Sequence, residues 1–106
     1  MFARITTMHV RTDFMERAIE IYRSSVVPAA RKQRGFRGAV LLSDKGSGKG
    51  LSISLWDREA DAVANEENNF YQEQLLKFMA MFAMGPAREG FEVDVLELEA
   101  GETGVS

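Results

Sequence analysis

Apolar and polar residues alternate in four short stretches of the chain and recur at helical spacing in two longer ones. Between residues 2 and 10, Ala3, Ile5, Thr7 and His9 fall on one side of an extended chain, and Phe2, Arg4, Thr6, Met8 and Val10 on the other. Both sets mix apolar and polar side chains, so this strand is expected to be at least partly covered on each face. Met15, Ala18, Ile19, Tyr22, Val26 and Ala29 then form one helical stripe. Thr12-Asp13 opens that helix, with Asp13 and Glu16 spaced as a capping box. Pro28 lies inside the pattern and lacks a backbone N–H, which predicts a kink near Ser24 to Val27. Arg31, Lys32 and Arg34 fit the negative end of the helix dipole, and Gly35 is a natural stop, so helix termination explains this basic cluster more simply than an anion site does.

A second strand is predicted over 36–43, with Phe36, Gly38, Val40 and Leu42 on one face. The loop from Asp44 to Gly50 is rich in glycine and lysine but is no phosphate loop. Its spacing fails, because Gly50 follows Lys49 where Ser or Thr is needed, and it leads into a strand rather than a helix. Leu51, Ile53 and Leu55 form a third strand ending at Trp56, and Asp57 is placed to cap the helix that follows. Helical pattern runs over 58–84, broken near Glu66-Glu67-Asn68-Asn69 and ended by Gly85-Pro86. A fourth strand is predicted over 89–99, where the apolar parity shifts at Leu96 and implies a bulge. This gives a domain over 1–99 and a flexible tail over 100–106.

The order strand, helix, strand, strand, helix, strand is the ferredoxin-like βαββαβ arrangement, an α+β fold. Both helical segments cover one face of a four-stranded antiparallel sheet. The other face still carries apolar side chains, and a lone subunit would leave them in water. A homodimer joined sheet face to sheet face, a dimeric α+β barrel, is therefore expected.

Composition narrows the chemistry. The 106 residues include no cysteine, which removes disulfides, thiolate metal sites and cysteine nucleophiles. A net charge of -3 gives no basis for nucleic acid or an anionic membrane as partner. The sequence has no apolar run near the roughly 20 residues of a membrane span. The first residues alternate and lack the apolar block of a signal peptide, so a cytoplasmic location is expected. With one histidine, a metal site has no partners of suitable type or spacing.

Three pieces resemble the antibiotic biosynthesis monooxygenase domain. Val27-Pro28-Ala29 through Arg34-Gly35-Phe36-Arg37-Gly38 is similar to its proline-containing first helix and Gly-Phe-x-Gly entry to the second strand. Ser54-Leu55-Trp56-Asp57-Arg58-Glu59-Ala60 is similar to its strand-end tryptophan and acidic helix start, and 85–95 to its closing strand. The resemblance implies a pocket between the helices and the sheet of each subunit. It also implies cofactor-independent monooxygenation of a small aromatic or quinone-like substrate, in which the ionised substrate is the electron donor and neither metal nor flavin is needed. The tryptophan, histidine and asparagine of haem-degrading relatives have no counterparts near Asn65, near Leu75 or over 6–8.

On this reading His9 is the base or orienting group, unless it is a rim histidine bonded to backbone or water. Tyr71 is the hydrogen-bond donor, its hydroxyl either entering the pocket or bonding a neighbour, and Tyr22 carries the same ambiguity. Trp56 either lines the pocket or locks strand to helix. Asn65, Phe78 and Phe82 complete the expected substrate-binding set. The alternative is a non-catalytic small-molecule-binding or stress-associated barrel, favoured by the lack of a dense polar constellation.

Overall fold

The structure is a computed structural model that describes residues 1–99; the tail expected over 100–106 lies outside the described residues. Its elements are β1 (Phe2–Val10), α1 (Met15–Ile21), α2 (Val27–Ala30), β2 (Phe36–Asp44), β3 (Lys49–Trp56), α3 (Glu59–Glu67), α4 (Phe70–Leu76) and β4 (Phe82–Glu92). The four strands form one antiparallel sheet in the order β2-β3-β1-β4. This is the ferredoxin-like α+β fold that the chain order implied. No helix among the described residues is long and apolar enough to cross a membrane.

The kink expected from Pro28 takes the form of one wide π-type turn, Tyr22–Val26, between α1 and α2. The Val27 N–H reaches back five residues to the Tyr22 carbonyl. The looser winding accommodates a proline that cannot donate to the preceding turn. It also brings Val26 and Val27, neighbours in sequence, to the same interior space as Tyr22 and Ala30. The helix ends at Ala30, so Arg31, Lys32 and Arg34 lie in the turn beyond it rather than in its last turn; Gly35 closes that turn with a φ of +81°, a left-handed conformation that glycine adopts without cost. The Gly35 carbonyl accepts from the Asp57 N–H at 2.8 Å, which ties the first helical segment to the end of β3.

Several local expectations change. Asp13 makes no capping box; the chain enters α1 through a 3-10 turn, Thr12–Phe14, with no side-chain cap. Asp57 does not cap α3 either. Its carboxylate pairs with Arg37 Nη1 at 2.8 Å, and α3 begins two residues later. Phe36 does not share a face with Val40 and Leu42, because a register shift at Arg37 turns it to the helix side. There it meets Trp56 edge-on, with ring centroids 5.6 Å apart.

The second helical segment breaks where the polar run suggested, at Asn68-Asn69, with Asn69 at a φ of 70°. It ends earlier than the periodicity implied. Gly85-Pro86 lies within β4, not at a helix end. Between the Thr7–Ala87 and His9–Met84 pairs, these two residues face the single Met8, which is a bulge. Strand β4 is at the sheet edge, where a proline without N–H breaks no further ladder. The bulge expected near Leu96 is absent, since the strand stops at Glu92.

The helices cover the face bearing Met8, Ser52, Ser54 and Trp56. Two apolar clusters fill the space between: Met8, Val10, Met15, Ala18, Tyr22, Phe78 and Met81 in one, and Phe2, Trp56 and Ala62, with Phe36 against them, in the other.

Candidate functional site

A cavity of about 80 Å³ lies between the helices and the sheet, walled by members of both clusters. Its floor is the inward face of three strands. Arg4, Thr6 and Met8 come from β1, Ser52, Ser54 and Trp56 from β3, and Phe36 and Ala39 from β2. Alternation along each strand makes this set, since every second residue points to the same side. The π turn and α2 close one side through Tyr22, Val26, Val27 and Ala30. Asn65 of α3 and Phe70, Tyr71, Gln74 and Leu75 of α4 close the other, with Phe78 behind them. Phe70, Tyr71, Gln74 and Leu75 of the α4 wall are partly exposed, whereas Thr6, Met8, Tyr22, Trp56, Asn65 and Phe78 are buried.

Most of the lining is apolar, and its polar groups are largely paired among themselves. Tyr22 Oη and Ser52 Oγ lie 2.9 Å apart. Burial pushes the Tyr22 phenol above its ordinary value, and the Ser52 bond opposes this in part. Tyr22 is thus a neutral hydroxyl near neutral pH, able to donate but not to act as a phenolate base. The Trp56 indole N–H donates to Ser54 Oγ at 2.9 Å, which satisfies a side chain that is almost wholly buried. Asn65 is buried, and it borders the cavity.

Charge is concentrated at one end. Arg4 Nη2 lies 2.8 Å from Glu66 Oε1, and Arg88 Nη1 lies 3.4 Å from Glu66 Oε2. The Arg88 guanidinium also sits over the Tyr71 ring, 4.8 Å from its centre. Two cations therefore share the one carboxylate of Glu66. The buried Arg4 Nε has no hydrogen-bond partner among the described residues. Such a place favours a ligand oxygen that carries, or develops, negative charge.

Five of the seven residues expected at the site line this cavity: Tyr22, Trp56, Asn65, Tyr71 and Phe78. His9 and Phe82 do not. Met8 points to the cavity, so the next residue, His9, points to the sheet's other face, where it neighbours Lys49 and Met84 across the ladders. The structure therefore does not bring His9 and Tyr71 together. Phe82 opens β4 and stacks on Phe78, with ring centroids 6.3 Å apart, outside the lining. Arg4, Glu66 and Arg88 were not anticipated. A signal existed for Arg4, which shares its strand face with Phe2, Thr6 and Met8 and so requires a partner when covered.

No family model matches the chain. Uncharacterized proteins from two strains of Mycobacterium tuberculosis are each 35% identical to it over 96 residues, which is 91% of this chain and 39% of theirs. The chain thus spans about two fifths of the length of the curated relatives it matches. Among solved structures, a Streptomyces coelicolor monooxygenase in complex with nanaomycin D is similar at a TM-score of 0.73 and 14% identity, covering 93% of this chain and 92% of that one. A cofactor-independent oxygenase from Streptomyces nogalater gives 0.69 and 12%, covering 92% and 97%. A proposed antibiotic biosynthesis monooxygenase from Nitrosomonas europaea gives 0.72 and 19%, covering 90% and 100%. The chain therefore has the fold of the antibiotic biosynthesis monooxygenases.

Proposed function

We propose that this protein is a cofactor-independent monooxygenase for a small hydroquinone- or anthrone-like aromatic, working as a homodimer. The observation that carries this reading is the charge distribution of the cavity. An apolar chamber has Arg4 as its one charged lining residue, and Arg4 shares its carboxylate partner, Glu66, with Arg88 just outside the lining.

The chemistry needs little more. A phenolic or enolisable substrate becomes reactive toward dioxygen once it loses a proton. Arg4 in the cavity wall lowers the free energy of the resulting oxyanion, and the low-polarity walls strengthen that effect. The lining offers no free base: it includes no carboxylate, Glu66 beside it is committed to two cations, and Tyr22 is held neutral. Substrate ionisation is thus driven by stabilising the anion, with the proton passing to solvent at the α4 side. The anion then gives electrons to dioxygen. One oxygen atom enters the substrate, so that a methylene between aromatic rings becomes a carbonyl, and the other leaves as water. Tyr71, Asn65 and Gln74 border the space as hydrogen-bonding groups that orient the ring, while Trp56, Phe36 and Phe78 exclude water from it.

The dimer follows from the opposite face. Val40, Leu42, Leu51, Ile53, Leu55 and Phe91 lie there, with Val40, Leu42 and Phe91 substantially exposed. A second copy, face to face, covers them.

The test is oxygen uptake with a panel of hydroquinones and anthrones. Wild type is expected to consume oxygen above buffer. Arg4→Gln and Tyr71→Phe should lower kcat/KM by roughly 10- to 1,000-fold, the range of a lost oxyanion donor. His9→Gln, outside the cavity, should leave it near wild type. If these compounds bind and no oxygen is consumed, the enzymatic reading fails. The alternative, a binding protein without catalysis, then stands, as the absence of a free base in the lining would suggest.

A further inference from the structure

A second, smaller void of about 20 Å³ lies beside the main cavity. Met8, Tyr22 and Phe78 line both spaces and form the partition between them. Its remaining walls include Met15, Ala18 and Ile19 of α1 and Leu41 of β2, and it is partly open where the exposed Ser43 of β2 borders it. It has room for one molecule about the size of water. Its surface is entirely apolar, however, so water there would lose its hydrogen bonds and gain none. An apolar recess of this kind holds water poorly and favours small apolar guests. The one polar group of the partition, the Tyr22 hydroxyl, is bonded to Ser52 of the main-cavity floor.

We infer that this void is a binding site for dioxygen, held behind Met8, Tyr22 and Phe78 next to the space that the aromatic substrate occupies. The inference rests on the oxygenase reading for its purpose, but not for its test. Dioxygen is small, uncharged and a very weak hydrogen-bond acceptor, so it partitions from water into apolar space. The partition is made of side chains that rotate: Met8 is an unbranched thioether and Phe78 a ring, and movement of either joins the two spaces. The π turn contributes as well, because it sets Tyr22 between α1 and the cavity.

The six methionines form a built-in set of reporters. Met8 and Met15 line the void, Met81 is buried elsewhere in the core, and Met1, Met79 and Met84 are exposed. With methyl-labelled methionine, NMR relaxation is measured on the whole chain under nitrogen and under pressurised oxygen, which is paramagnetic. The Met8 and Met15 methyls are expected to relax severalfold more than Met81. Equal enhancement at all three buried methyls would overturn the inference. In Ala18→Val the added methyls occupy the void, and the excess at Met8 and Met15 should vanish. If it persists in a folded variant, the dioxygen lies elsewhere and the inference falls. Where turnover is found, the same variant should raise KM for oxygen severalfold and leave KM for the aromatic unchanged. Excess relaxation without any turnover would retain the oxygen site and reject the oxygenase; turnover without excess relaxation would do the reverse.

Discussion

Gly35 carries two constraints at once. Its φ of +81° is unfavourable for any residue with a Cβ, and a Cβ there would run into the side chain of Asp61. Asp61 cannot move away easily, being buried in the first turn of α3 and paired with Arg58 at 3.3 Å. Gly35→Ala should therefore cost about 2–4 kcal/mol, the sum of left-handed strain and overpacking, measurable as a lower urea midpoint. Tyr22 gives a pH-dependent expectation. Its phenol is raised above the ordinary value of 10.0, so the folded chain holds this proton where the unfolded chain has lost it. Below pH 10 the residue is protonated in both states and adds no pH dependence. Above pH 10 the unfolded state is favoured by ionisation, and stability falls as pH rises toward the folded value. In Tyr22→Phe that alkaline slope should be missing, at a neutral-pH cost of about 1 kcal/mol for the bond to Ser52. Denaturant melts of both proteins at pH 7, 9 and 11 give the comparison, and identical slopes would count against a buried phenol.

Between elements, the half-buried Glu66 joins β1, α3 and β4 through its two arginines. Removing its charge leaves Arg4 and Arg88 facing each other across the cavity end, so Glu66→Gln should destabilise the fold by about 2 kcal/mol. It should also tighten binding of a phenolate-type ligand, because the cations are freed for it; weaker binding in a folded variant would refute that role for the arginines. Beyond the strand-face signal at Arg4, this triad was not visible in the sequence, because its members are 62 and 22 residues apart and meet only through the sheet register. What was legible was local and periodic. The alternation in β1, the stripe on α1, the kink before Pro28 and the break at Asn68-Asn69 each follow from a few adjacent residues. The errors arose where tertiary context overrode a local signal. Asp57 is a good cap by type, yet Arg37 claims it, and Gly85-Pro86 ends helices in general but sits at a sheet edge here. His9 was the chemically suggestive residue, and alternation from Met8 already placed it away from the pocket.

For the molecule as a whole, the open question is what lies on the second sheet face. That face carries a ladder of aliphatic pairs, Val40–Ile53–Ile5 and Leu42–Leu51–Thr7, running across three strands. Val40 and Leu42 are 44% and 47% exposed, and Phe91 at the other edge is 50% exposed. Covering each such side chain contributes about 1 kcal/mol, so a twin face meeting this one gathers several increments around a two-fold axis. The same arrangement leaves the cavity untouched, since the helices and the open face are on opposite sides of the sheet. Assembly and ligand binding are therefore separable by mutation. Leu42→Lys places a charge where the partner's apolar side chains would be, yet its own side chain is half in water, so the subunit should still fold. Sedimentation at micromolar concentration should show wild type at twice the subunit mass and Leu42→Lys at the mass of one subunit, with the ligand affinity of the helix-side cavity kept. A wild-type chain that sediments as a single subunit at that concentration would remove the twin-face assembly.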